Sequence, residues 1–174
     1  MDHLKSYIRD IPNFPKQGII FKDITTLLKD GKKFKEVVDL FAEEFSGKKI
    51  DIILCVEARG FIFGSALAYR LGAGIAPIRK KGKLPYKTHS VTYDLEYGKD
   101  ILEIHQDAFE KGARVLIVDD LLATGGTSRA VIDLVEKMGG RIEALAFLIE
   151  LTPLKGREKL KGYPVTALIK DEYC

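Results

Sequence analysis

The order of apolar and polar residues divides most of the chain into two kinds of segment. Continuous apolar runs of strand length occupy residues 50–56, 74–80, 114–120, 143–151 and 164–170. Elsewhere, apolar residues recur at helical spacing and predict helices over residues 4–11, 30–45, 61–72 and 128–140. Apolar strands that alternate with helices are typical of a parallel sheet covered on both faces. The pattern therefore predicts an α/β fold with a mostly parallel sheet flanked by helices.

Residues 79–107 depart from this pattern because they are polar and because their side chains alternate. The alternating residues are Thr92, Asp94 and Glu96 on one face and Val91, Tyr93, Leu95 and Tyr97 on the other. Such alternation predicts an antiparallel ribbon joined to the parallel sheet, with Gly98 and Lys99 at its turn. The basic stretch KKGKLPYKT before the ribbon lacks apolar anchors and is predicted to be a mobile loop.

Length and composition fit a single domain over residues 1–174 and exclude several classes of protein. With 174 residues, 46% of them hydrophobic, the chain is long enough to bury a core. The net charge of +3 comes from well-mixed acids and bases, which gives no strong case for binding nucleic acid or an anionic membrane. No apolar run approaches the roughly 20 residues of a membrane span, and the charged N-terminus does not resemble a signal peptide. The two cysteines, Cys55 and Cys174, are typical of reduced thiols, so a cytoplasmic protein is predicted.

The stretch VLIVDDLLATGGTSRA, residues 115–130, carries the main candidate chemistry. Asp119 and Asp120 end a predicted strand, and ligands of parallel α/β sheets bind beyond the carboxyl ends of the strands. Gly125 and Gly126 then lead into a helix, whose free N–H groups and dipole favour an anion. Hydroxyl donors in the same stretch are Thr124, Thr127 and Ser128. These features together predict a phosphate-binding loop.

The doubled acid extends this prediction, because a bare phosphate would repel two carboxylates placed beside it. Asp119 and Asp120 therefore need another partner, either sugar hydroxyls or a hydrated Mg²⁺. Phosphate, ribose and a divalent metal together describe a phosphorylated ribose. An ordinary βα turn capped by Thr or Ser has a similar pattern. The doubled acid and the Thr-Gly-Gly-Thr sequence favour the functional interpretation, and neither a P-loop nor a G-x-G-x-x-G motif is present.

No zinc site is predicted, because His3, His89 and His105 are scattered and lack partners at metal-ligand spacing.

VLIVDDLLATGGT also resembles the phosphoribosyl pyrophosphate (PRPP) signature of the type I phosphoribosyltransferases. Other stretches resemble the adenine-specific members of that family and extend the match over nearly the whole chain: FPKQGIIFKDIT, EARGFIFG, IRKKGKLP, LEYGKDILEIHQDA and ELTPLKGREKL. The resemblance implies a type I phosphoribosyltransferase-like fold. It also implies transfer of the 5-phosphoribosyl group from PRPP to adenine, giving AMP and pyrophosphate in purine salvage. Mg²⁺ is the implied cofactor, and a homodimer is the implied assembly.

The resemblance also implies roles for individual residues. The 5′-phosphate would be held by Ala123, Thr124, Gly125, Gly126 and Thr127, and the ribose by Asp119 and Asp120. The pyrophosphate-binding residues would be Glu57, Ala58, Arg59 and Gly60, with a cis peptide bond between Glu57 and Ala58, together with Arg79 and Lys83 of the covering loop. Mg²⁺ would bind through PRPP and through waters near Asp119 and Asp120, without a direct protein ligand.

A small N-terminal hood, about residues 1–30, would bind the base. There Phe21 would stack on adenine, while the backbones of Ile20 and Lys22 would read its edge. On the sequence alone, the interpretation of Phe21 as a plain core anchor is favoured. Catalysis would rest on Arg59, at the leaving pyrophosphate, and on Glu96, as the acid or base that exchanges a proton with the purine. A solvated strand glutamate is the alternative interpretation of Glu96.

Two other functions remain open at this point. One is specificity for a different purine, such as hypoxanthine or xanthine. The other is a non-catalytic, PRPP-sensing regulator built on the same fold. Such a regulator needs a DNA-binding element, and the sequence contains no basic recognition helix.

Overall fold

Two β-sheets are present in the computed structural model, which describes residues 2–95 and 98–173. Within these residues the strands are β1 (Arg9–Pro12), β2 (Ile20–Asp23), β3 (Ile52–Val56), β4 (Gly74–Lys80), β5 (Thr88–Leu95), β6 (Gly98–His105), β7 (Arg114–Leu122), β8 (Arg141–Leu151) and β9 (Val165–Asp171). The helices are α1 (Thr25–Leu28), α2 (Gly31–Phe45), α3 (Gly60–Leu71) and α4 (Gly126–Lys137). Short 3₁₀ helices occupy Asp2–Tyr7, Thr152–Leu154 and Gly156–Leu160.

The larger sheet has seven strands in the order β5-β6-β4-β3-β7-β8-β9. β3 pairs in parallel with β4 and β7, and β8 and β9 continue the parallel part. β6 is antiparallel to both β4 and β5, so the two-stranded ribbon extends one side of the sheet. The predicted fold, a mostly parallel sheet that carries an antiparallel ribbon, is therefore confirmed.

Alternate side chains of β3 belong to two hydrophobic core layers, one on each face of the large sheet. Ile53 and Cys55 pack with α2 and α3 on one face, while Leu54 and Val56 pack with α4 on the other. A strand buried on both faces explains the continuous apolar run in the sequence. Burial raises the pKa of the free Cys55 thiol to about 12, which keeps this thiol protonated and unreactive near neutral pH.

Local signals set several element ends where the sequence predicts them. The Asp30 carboxylate accepts hydrogen bonds from the amides of Lys32 and Lys33 and caps α2. Gly72 ends α3 in the left-handed conformation, with φ 66°. None of the helices in residues 2–95 and 98–173 is long and apolar enough to cross a membrane.

Two predictions about local structure were wrong. Residues 4–11 do not form one helix, because the chain forms a 3₁₀ helix at Asp2–Tyr7 and then strand β1. β1 pairs with β2, and backbone hydrogen bonds across this pair replace those of the predicted helix. Gly98 and Lys99 do not form the ribbon turn, because both lie in β6, opposite Leu95 and Asp94 of β5.

Candidate active site

The predicted site loops meet at one edge of the large sheet, beyond the carboxyl ends of its parallel strands. β3 ends at Val56, just before the Glu57–Gly60 loop, and β4 ends at Lys80, within the predicted covering loop. β7 was predicted to end at Asp120 but continues to Leu122, because β8 still pairs with it there. Its last partner in β3 is Cys55, opposite Val118. Asp119 and Asp120 therefore lie on the part of β7 that extends beyond β3.

Arg59 connects three parts of this edge. It lies just before α3, and its Nε is 2.8 Å from Oδ2 of Asp120. On its other side the guanidinium carbon is 5.0 Å from the centre of the Phe21 ring, a cation–π contact. Arg59 thus joins the predicted pyrophosphate, ribose and base subsites, and its side chain is one-third exposed.

The two adjacent carboxyls differ in their surroundings. Burial raises the pKa of Asp119 well above its ordinary value, and the nearby charge of Asp120 raises it further. Burial also raises the pKa of Asp120, although the Arg59 guanidinium opposes this change. Oδ1 of Asp119 accepts a hydrogen bond from the Asp120 amide at 2.8 Å. The two acids therefore form a coupled pair, in which Arg59 compensates the charge of Asp120.

The predicted phosphate loop leads directly into a helix. Gly125, with φ 77°, is the N-cap of α4 and offers no side-chain cap for the first turn of the helix. Gly126 and Thr127 belong to that first turn and not to the preceding loop, so α4 begins two residues earlier than predicted. Uncapped backbone N–H groups at a helix N-terminus suit an anion.

Glu57 brings the predicted pyrophosphate residues together. Its carboxylate accepts hydrogen bonds from Nε of Arg79 at 3.2 Å, from the Lys80 amide at 3.1 Å and from the ammonium of Lys83. Burial opposes the charge of Glu57, but these donors hold its pKa below the ordinary value. The Glu57–Ala58 peptide bond is cis, as the resemblance implied. Arg79 and Lys83 therefore contact the start of the Glu57–Gly60 loop through Glu57.

A cavity of about 410 Å³ lies between the hood and the phosphate loop. The residues that line it are Ile19, Ile20, Phe21 and Lys22 of the hood, with Arg59, Leu121, Ala123, Thr124, Leu151 and Leu154 from the sheet edge. The structure thus brings the predicted base residues and the first two predicted phosphate residues into one space. The Phe14 and Phe21 rings pack in a T-shaped arrangement, with the ring centres 5.2 Å apart.

Comparisons with known proteins identify the family of the chain. The family described as "Phosphoribosyl transferase domain" matches residues 23–169. An adenine phosphoribosyltransferase of Clostridium botulinum (strain Loch Maree) is 58% identical over 168 residues, which cover 97% of this chain and 98% of that protein. The chain belongs to the adenine phosphoribosyltransferase family.

Solved structures of adenine phosphoribosyltransferases have the same fold. The enzyme of Thermoanaerobacter pseudethanolicus superposes with a TM-score of 0.95 at 56% identity, covering 98% of this chain and 99% of the other. The Saccharomyces cerevisiae enzyme, solved with adenine and D-2,5-dideoxy-2,5-imino-altritol 1,6-bisphosphate, gives a TM-score of 0.91 at 42% identity. That match covers 96% of this chain and 97% of the yeast chain.

Three apolar residues of the cavity outside the hood were missed by sequence reasoning. They are Leu121, which follows the doubled acid, Leu151, the last residue of β8, and Leu154, in the 3₁₀ helix that follows β8. The signal that could have found the last two is the stretch ELTPLKGREKL, which carried the resemblance but received no role. Apolar walls suit the faces of a flat base.

The Lys22 side chain was also missed, because the resemblance concerned only its backbone. Its ammonium is buried and lies 2.7 Å from Oδ2 of Asp171 in β9 and 3.0 Å from Oδ1 of Asp10 in β1. Burial opposes the positive charge, but these two carboxylates raise the pKa of Lys22. The contact ties the hood to β9, an edge strand of the large sheet.

Glu96, the predicted acid or base, lies outside the described residues. The neighbouring part of the ribbon lies beside the start of α4. There Val91, Thr92 and Tyr93 of β5 line a small cavity together with Gly126. The ribbon therefore borders the phosphate end of the site. In the described part of the chain, no group of three or more His, Cys, Asp or Glu side chains could hold a metal ion.

Proposed function

We propose that this protein transfers the 5-phosphoribosyl group from PRPP to adenine, which gives AMP and pyrophosphate in purine salvage. One observation carries the proposal: Ile20, Phe21 and Lys22 of the hood share a single cavity with Ala123 and Thr124 of the phosphate loop. A nucleotide joins a base to a phosphorylated ribose, so the protein that makes it needs both subsites in one space. Membership of the adenine phosphoribosyltransferase family supports the same reaction.

In the proposed reaction, positive charge develops on C1 of the ribose while negative charge grows on the departing pyrophosphate. Asp119 and Asp120 hold the ribose hydroxyls, and Arg59 stabilises the leaving group from its position beside Asp120. Phe21 stacks on adenine, and the backbones of Ile20 and Lys22 read the edge of the base. The attacking base nitrogen loses a proton, and Glu96 is the proposed acceptor.

Arg79 and Lys83 are proposed to release the Glu57 carboxylate and to bind the pyrophosphate in its place. In the structure their partner is the Glu57 carboxylate, which carries a single charge. Pyrophosphate carries more negative charge and more acceptor oxygens, so it competes well for both cations. The Glu57 contacts keep the two side chains near the loop where the pyrophosphate is proposed to lie.

Mg²⁺ is the proposed cofactor. Asp119 and Asp120 are hard oxygen donors on one short stretch of strand, and such donors suit Mg²⁺ that retains its waters. Two carboxylates are too few for an all-protein cage, so they fit a role in orienting waters of the hydrated ion. When bound, Mg²⁺ neutralises pyrophosphate charge; Arg59, Arg79 and Lys83 add their charges from the protein.

A steady-state assay with PRPP and three purines tests the proposed reaction. We expect AMP formation from adenine, with kcat/KM about a hundredfold or more lower for hypoxanthine and guanine, because fixed backbone donors and acceptors reject a base with the opposite pattern. Ribose 5-phosphate in place of PRPP serves as the control and should give no nucleotide. Equal or better use of hypoxanthine would contradict the assignment to adenine.

A homodimer in the cytoplasm is the proposed state of the protein. Exposed apolar side chains on two contacting elements support the dimer: Ile62 and Tyr69, two helical turns apart on α3, are 39% and 91% exposed, and Ile75 of β4 is 45% exposed. Large apolar side chains grouped on one face often mark an interface. The buried free thiol of Cys55 is compatible with a reducing compartment.

Sedimentation velocity tests the dimer. We expect the wild-type protein to sediment as a dimer and Tyr69→Glu to sediment as a monomer, because a charge at this position opposes burial of the apolar face. Tyr173→Glu is the matched control, since Tyr173 is 71% exposed and lies beyond β9. A wild-type monomer at micromolar concentration, or a dimer of unchanged stability in Tyr69→Glu, would exclude this surface as the interface.

A further inference from the structure

We propose that residues 152–160, here named the support segment, fix the shape of the phosphate loop, with Gly156 and Arg157 as positioning residues. The segment follows β8 and consists of two short 3₁₀ helices, Thr152–Leu154 and Gly156–Leu160. The inference rests on the proposed function, because it takes the neighbouring loop to be the site of the 5′-phosphate. Gly156 and Arg157 are not among the proposed base or phosphate contacts.

The first observation is a backbone contact between two glycines. A Cβ atom added to Gly125 would overlap the carbonyl oxygen of Gly156. In the reverse direction, a Cβ atom on Gly156 would overlap the carbonyl oxygen of Ala123 and lie 2.9 Å from the Gly125 amide nitrogen. The phosphate loop and the support segment therefore touch along their main chains, without space for a side chain between them.

The reason for glycine differs at the two positions. Gly125 has φ 77°, a left-handed conformation that favours glycine by itself. Gly156 does not have a positive φ, so another residue could adopt its backbone conformation. Only the close approach of Ala123 and Gly125 requires glycine at position 156. This requirement links position 156 to the geometry of the phosphate loop.

The second observation is the anchor beside the contact. The Arg157 guanidinium donates from Nε to Oε1 of Glu150 at 2.9 Å and from a second nitrogen to the other oxygen of Glu150. Its Nη1 donates to the carbonyl oxygen of Val165 at 2.8 Å. Glu150 is buried near the end of β8, and Leu160 is buried at the other end of the segment. A two-pronged pair of this kind restricts both distance and direction, so Gly156 is held against the phosphate loop by its neighbour.

The Arg157–Glu150 pair and the Gly156–Gly125 contact together explain how the support segment controls the proposed phosphate subsite. Backbone N–H groups bind a phosphate well only when they converge on it, and convergence depends on the course of Ala123–Gly125. The Gly156 backbone packs directly against Ala123 and Gly125 and so limits the movement of the phosphate loop toward the support segment. If Gly156 moves, Ala123 and Gly125 lose this packing contact, and the backbone N–H groups of the phosphate loop no longer converge on one point.

Calorimetric titration with ribose 5-phosphate, combined with steady-state kinetics, tests the inference. We expect Gly156→Ala and Arg157→Met each to weaken ribose 5-phosphate binding about tenfold, the loss of roughly one charge-assisted hydrogen bond. The KM for PRPP should rise by a similar factor, while kcat at saturating PRPP stays within about twofold of wild type. Arg157→Lys should restore only part of the affinity, because an ammonium cannot form the two-pronged contact.

Two controls match these variants. Gly47→Ala adds a methyl group where nothing lies within 4 Å. Arg114→Met removes a similar two-pronged pair, with Asp51, at the opposite edge of the sheet. A merely structural role would lower the melting temperature and the active fraction in Gly156→Ala and Arg157→Met without changing the PRPP KM.

The outcomes separate the inference from the proposed function. If the wild-type protein binds no ribose 5-phosphate and makes no AMP, the proposed function fails. If it does both, and if folded Gly156→Ala and Arg157→Met bind ribose 5-phosphate within twofold of wild type, the inference is overturned. Should Gly156→Ala fail to fold, Arg157→Met and Arg157→Lys decide the question.

Discussion

Gly126→Val is expected to lower the affinity for PRPP by about a hundredfold or more, because a branched side chain would occupy the space where the phosphate approaches the backbone. Gly126 is the first residue of α4 and has a helical backbone conformation, which valine can adopt. The protein should therefore fold, with a melting temperature close to that of wild type. Calorimetric titration of PRPP in the presence of Mg²⁺ measures the loss.

Gly31→Val is the matched control for this experiment. Gly31 is the first residue of α2, and a Cβ atom added there meets nothing within 4 Å. The two variants thus place the same side chain at the same helical position, one at the proposed phosphate subsite and one at a remote surface. Unchanged PRPP affinity in a folded Gly126→Val protein would show that the loop does not bind the phosphate.

Glu96→Gln is expected to slow the chemical step by about 10²–10⁴, the usual contribution of a general acid or base. The substitution preserves the shape of the side chain but removes its ability to take a proton from adenine. PRPP affinity should stay within about twofold of wild type, because the proposed PRPP contacts come from other residues. Single-turnover kinetics is the appropriate measurement, since slow product release can conceal a chemical defect in kcat.

Glu110→Gln provides the comparison, since Glu110 is an exposed glutamate outside the ribbon. If single-turnover rates of Glu96→Gln and wild type agree within about threefold, Glu96 does not exchange the proton. The proton would then go to water or to another group.

Elements whose signals are local could be predicted from the sequence. Asp30 before α2 and Gly72 after α3 are capping residues, and their effects depend on backbone only a few residues away. The apolar runs of the parallel strands likewise reflect burial on both faces. The predicted helix over residues 4–11 failed for the opposite reason, because β1 exists through its pairing with β2, whose position in space the periodicity of residues 4–11 does not encode.

Only part of the candidate site could be predicted from the residues themselves. The doubled acid and the glycines of the phosphate loop lie within one short stretch, so the sequence alone predicts their chemistry. Roles for the hood and for the Glu57–Gly60 loop came from the resemblance to a family and not from the residues. The Lys22 contact with Asp171 and the Gly156 contact with Gly125 depend on segments far apart in the chain. A single sequence contains no pattern that relates such segments.

The buried ammonium of Lys22 has a consequence for the order of events on the ribosome. The hood is synthesised before β9, which carries Asp171, one of the two carboxylates that pair with Lys22. Proteins emerge from the ribosome with their N-terminal residues first, so the nascent hood has Asp10 as a partner but lacks the carboxylate of β9. The wall of the base cavity therefore acquires the support of Asp171 only when β9 has joined the sheet, and a nascent chain is expected to remain unable to hold a purine until then.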